Sequence, residues 1–144
     1  MRYLKITPLF IVIALISACS QPKNNKETAE ITLSQQIDTH INNDEYEKAL
    51  ELLQTKSEEP DIATLSEKTH LNYGIYLIYN ADPSTMRENA NNALGQFIEV
   101  LKINPDNQKA ISEIEQILSI YRSFPHRKPK DEVMEDLKEL GFEI

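Results

Sequence analysis

Between Ala90 and Pro105 the apolar residues recur on a spacing that admits only one kind of secondary structure. Ala90, Ala93, Leu94, Phe97, Ile98 and Leu101 fall at i, i+3, i+4, i+7, i+8 and i+11, which lines one side of an α-helix. Glu88, Asn91, Asn92, Gln96 and Glu99 fall largely on the other, polar side. Asn104-Pro105-Asp106 stops the helix, because proline disfavours the helical conformation in the residue before it. Upstream, Leu71–Tyr79 is apolar nearly all round, which predicts a central helix buried on two sides. Gly74 inside it costs about 1 kcal/mol relative to alanine, so a packing reason for it is expected. Residues 71–105 therefore read as two antiparallel helices closed by a turn, with small residues where they touch.

The same punctuation continues on both sides. Ile31, Leu33, Ile37 and Ile41 begin a first helix, and Asn42-Asn43-Asp44 interrupts it with Asp44 (or Asn43) as the N-cap of the next. That second helix, from Glu45 to Leu53, turns Tyr46, Ala49, Leu50 and Leu53 inward, and Ser57–Asp61 ends it. A third starts between Asp61 and Ser66, and a fourth near Thr85, after Pro83. The fifth follows Pro105, with Ile111, Ile114, Leu118 and Tyr121 as one stripe that Ile117, Ile120 and Phe124 widen. Asp131–Leu140 is a short sixth helix, stopped by Gly141. No stretch alternates with period two. The expected fold class is all-α, about six helices in antiparallel hairpins.

Residues 1–18 read as an address rather than as fold. Arg2 and Lys5 precede an almost unbroken apolar run, Ile6 to Ala18. Its thirteen residues fall short of the about 20 that span a bilayer, and they match a secretory signal peptide. Ile16-Ser17-Ala18-Cys19 resembles the lipobox of bacterial lipoproteins, whose cysteine is lipidated after cleavage. The other reading is an ordinary signal peptide with a chance cysteine at its end. Cys19 is the only cysteine, so no intrachain disulfide is available. Residues 19–30 are polar and linker-like, a flexible tether with a reach of about 17–20 Å. The resemblance implies a cell-envelope protein held by acyl chains, and Ser20 after the cysteine points to the outer membrane, facing the periplasm.

Charge narrows the partners. The formal net charge is −8, and removing residues 1–18, with two positive charges and no acid, moves it to −10. An acidic chain is a poor match for nucleic acid or for anionic lipid surfaces. His40, His70 and His126 are scattered, with no metal-ligand spacing. With no cysteine beyond Cys19 and only three glycines, there is neither a catalytic thiol nor a phosphate-cradling loop. No enzyme activity and no cofactor are expected.

Ala49 and Ala93 lie 44 residues apart, and Pro60 and Pro105 lie 45 apart, a period in the range of helical repeats. The residues that carry the likeness are Tyr73-Gly74, then Ala93 and Phe97, then Ile103-Asn104-Pro105-Asp106-Asn107. In these the chain resembles the tetratricopeptide repeat family, whose repeat runs about 34 residues. Val100 stands where the family prefers alanine. The 19 residues from Gly74 to Ala93 exceed the family's spacing, and the flanking units, 31–60 and 107–141, match only loosely.

The resemblance implies a short α-solenoid over residues 31–144. In this family the first helices of successive repeats line a concave groove that holds peptides or helices. Carried over, the groove positions are Leu71, Ile75, Ile78 and Tyr79 in the better unit, and Ile111, Glu115 and Leu118 in the looser one. Tyr73, Gly74, Ala93, Phe97 and Pro105 would be its packing residues. A non-catalytic protein-interaction module anchored in the cell envelope follows as an expectation, its partner an envelope protein that the sequence does not name. A self-associating structural component, and a six-helix bundle whose core includes these residues, remain open.

Overall fold

Thr32 opens the first described helix by closing a reciprocal cap. Its hydroxyl accepts from the Gln35 amide at 3.2 Å, and the Gln35 side chain accepts from the Thr32 amide at 2.9 Å. Two of the helix's orphan donors are thereby satisfied. The computed structural model describes residues 31–124 and 126–143; the predicted signal peptide, Cys19 and the 19–30 tether lie outside the described residues. Residues 31–144 form a compact unit of their own.

The unit is all-α. Its helices are α1 (Leu33–Asn42), α2 (Tyr46–Thr55), α3 (Ile62–Tyr79), α4 (Met86–Ile103), α5 (Gln108–Arg122) and α6 (Asp131–Glu139), with one 3₁₀ turn at Pro83–Thr85 before α4. Among the described residues there is no strand, and no helix is long and apolar enough to cross a membrane.

One expected cap is corrected. Glu45, not Asp44 or Asn43, stands at the N-cap of α2, and its side chain makes no capping bond. Asp44 instead turns the chain with φ at +58°, a left-handed conformation that a short polar side chain tolerates. The Glu45 carboxylate is held by His40 Nδ1 at 2.8 Å and by Lys48, which lower its pKa, Lys48 foremost.

The apolar surround of α3 is used on two sides. It packs against α1 and α2 on one and against α4 on the other, and α4 also carries α5 and α6. The core divides accordingly. Ile37, Ala49, Leu53 and Leu65 form a small cluster around α1–α3. A larger one centres on α4, where Leu94, Phe97, Ile98 and Leu101 meet Ile114 and Leu118 of α5 and Leu137 of α6. Each such side chain contributes about 1.5–3 kcal/mol when fully buried. The helix ends are set as carefully: Asn107 caps α5 by accepting from the Ala110 amide at 3.0 Å. Gly141, at φ +88°, ends α6 with the Phe142 amide bonded to the Leu137 carbonyl and the Gly141 amide to that of Lys138. This is the left-handed glycine stop.

Candidate functional site

The last three turns of α5 present one face that the core does not use up. Glu113, Gln116, Ile117, Ile120 and Tyr121 recur at helical spacing over about 12 Å, and Phe124 follows in the bend just past the helix end. Across from this face stand Leu77, Ile78 and Tyr79 from the end of α3. Met86, Arg87 and Ala90 from the start of α4 lie between them. Since α3 and α5 both lean on α4, a gap of about 660 Å³ opens between them.

Its lining is mainly apolar and unusually exposed. Among the described residues six large hydrophobic side chains are exposed, and four of them line this gap: Tyr79 (54%), Met86 (67%), Ile120 (55%) and Phe124 (47%). Scattered exposed hydrophobics are ordinary, whereas a contiguous patch marks an interaction surface.

A polar bridge closes one end. The Tyr79 hydroxyl donates to Glu113 Oε2 at 3.0 Å and accepts from Gln116 Nε2 at 3.3 Å. Glu113 is only 2% exposed, and its other oxygen is bound by Lys109 one turn earlier. That bond and the carboxylate's charge raise the Lys109 pKa. A buried carboxylate is costly unless paired and hydrogen-bonded; here it is both.

The other end is cationic. Arg87 lies near Tyr121, whose pKa is raised by burial and partly lowered again by that guanidinium. Arg127 sits over the Phe124 ring, 5.0 Å from its centroid, a cation–π distance. Among the described residues neither arginine forms an ion pair, whereas Arg122 pairs with Glu115 and Lys128 with Asp131. The segment carrying Arg127 is fastened by Asn91. That side chain is buried, donates to the Arg87 carbonyl at 2.7 Å and to the Tyr121 hydroxyl at 3.2 Å, and accepts from the Lys130 amide at 2.7 Å. Asn91 thus leaves the polar face to which its spacing assigned it.

Of the residues predicted for a groove, the structure brings Ile78 and Tyr79 to this gap. Leu71, Ile75 and Ile111 are half-buried and pack against the larger core. Leu118, at 1% exposure, is core itself, because α5 turns that residue toward α4; a groove reading does not extend to it. Glu115 is exposed and engaged with Arg122 at 3.0 Å. The predicted packing residues behave differently from one another. Tyr73 stacks on Tyr46 at 5.0 Å and 5°, Gly74, Ala93 and Phe97 are buried in the α3–α4 contact, and Pro105 is exposed in the turn. Sequence reading missed Met86, Ile120, Phe124 and both arginines. A signal for two of them was present: a stripe on α5 wider than one neighbouring helix can cover.

Comparison with known proteins yields no matching family model, no matching curated protein and no matching solved structure.

Proposed function

We propose that this chain is an exported, lipid-anchored interaction module of a bacterial cell envelope that holds a segment of a partner protein between α3 and α5. The reading joins the lipobox-like Ile16–Cys19 to a tetratricopeptide-like helical domain without catalytic machinery. One observation carries it: among the described residues four of the six exposed large hydrophobics line a single gap of about 660 Å³, a size typical of binding clefts. The proposed repeat kinship rests on residues 71–105. It is weakest in the last unit, where α6 packs on α4 and residues 123–130 separate it from α5.

The test is a photo-crosslinking side chain at position 120 in cells producing the full chain. A discrete heterologous adduct that disappears with Phe124→Lys is the expected result. Adducts only between copies of this chain would replace the reading by self-association. Capture that is indifferent to Phe124→Lys, with the melting temperature unchanged, would remove the groove. Cys19→Ala should leave an unlipidated precursor that keeps residues 1–18; processing and membrane partition both unchanged would remove the anchor.

A further inference from the structure

Resting on that reading, we infer that the segment held between α3 and α5 is an amphipathic helix with acidic side chains beside its apolar stripe. Arg87 and Arg127 would receive those acids. The shape favours a helix. The wall offered by α5 is itself a helical face about 12 Å long, and the gap lies between two helices seated on a third. A helix laid there meets ridges with grooves, using anchors at i, i+3, i+4 and i+7. Among the described residues there is no strand, so an extended peptide has no sheet edge on which to pair.

Charge sets the polarity of the occupant. The chain has 23 acids against 15 Lys and Arg, yet the two arginines at this gap make no ion pair among the described residues. The one acid in the lining, Glu113, is already matched by Lys109 and Tyr79. What faces an incoming segment is therefore apolar surface plus two uncompensated guanidinium groups. Distant acids of the same chain oppose an acidic ligand only weakly, because salt at physiological strength screens charges beyond about 8 Å. Guanidinium groups bind carboxylates in a two-pronged geometry, which fixes the orientation of the segment as well as its sign.

The test uses residues 20–144, which contain the whole compact unit, immobilised and panned with a phage library of random peptides about 15 residues long. Enriched sequences should place apolar residues at helical spacing with Asp or Glu alongside. Panning on the Arg87→Glu/Arg127→Glu variant should enrich Lys or Arg instead, and the acidic peptides should bind that variant at least about tenfold more weakly. Both arginines are exposed, so the variant is expected to melt like the parent. Apolar peptides without acidic preference, bound equally by parent and variant, would overturn the charge inference and leave the groove standing. No helical consensus, together with saturable binding of laurate or a concentration-dependent dimer in sedimentation, would overturn both.

Discussion

Gly74 on α3 and Phe97 on α4 are fitted to one another: a β-carbon on Gly74 would lie 2.5 Å from Phe97 Cε1 and 2.8 Å from Cζ. Two effects compete in Gly74→Ala. Helix propensity favours alanine by about 1 kcal/mol. Overpacking a filled core costs about 1–3 kcal/mol, and the Phe97 ring has nowhere to go, being fully buried among α4 and its neighbours. The steric cost wins, and a net loss of about 1 kcal/mol is expected, read as a lower urea midpoint at unchanged slope. In a Phe97→Leu background the ring is gone, so the same change should become neutral or stabilising. Additive losses across that cycle would show that the two residues are not coupled.

Such a pair marks how far the residues could be read in advance. The helical stripes of α4 and α5, the stop at Asn104–Asp106 and the glycine end at Gly141 are local features, and they predicted six helices with no strands. Gly74 even announced that something would press on it. Long-range polar pairing carries no such local sign. Glu67 Oε1 accepts from Asn104 and Asn107 at 2.8 and 2.7 Å, tying the turn before α5 to α3; nothing in the spacing of these residues specifies that bond. The groove was half visible for the same reason. Periodicity sets Ile117, Ile120 and Phe124 beside the stripe that holds Leu118, but only the packing of the helices decides that Ile117 is buried while Ile120 and Phe124 stay exposed.

Asn91 offers a sharp check on the segment that carries Arg127. Replacing it with alanine removes a buried amide that serves α4, α5 and the chain before α6 together. A loss of about 1–3 kcal/mol is expected, the range for leaving buried partners unmatched. The distinctive readout is local. Amide exchange at Lys130 should accelerate strongly while that of the α3–α4 contact around Phe97 stays slow. Uniform acceleration would mean that Asn91 supports the whole core and not this segment.

Alkaline pH should weaken the fold through its tyrosines. Burial raises the pKa of Tyr46 and Tyr73, with the neighbouring carboxylates of Asp44 and Glu47 adding to it; burial raises that of Tyr121 as well. A phenol whose pKa is raised in the folded state keeps its proton longer there than in the unfolded chain. The stability it contributes is therefore whole below the unfolded value of about 10 and is lost as pH rises through the folded value. Lys109 acts in the same direction through its bond to Glu113. Tyr46→Phe with Tyr73→Phe keeps the stacked pair, whose rings lie 5.0 Å apart, while deleting both titrating groups. Urea midpoints should then be similar at neutral pH and diverge above about pH 10, the variant falling less steeply. Parallel curves for the two proteins would assign the alkaline loss to Tyr121 and Lys109 instead.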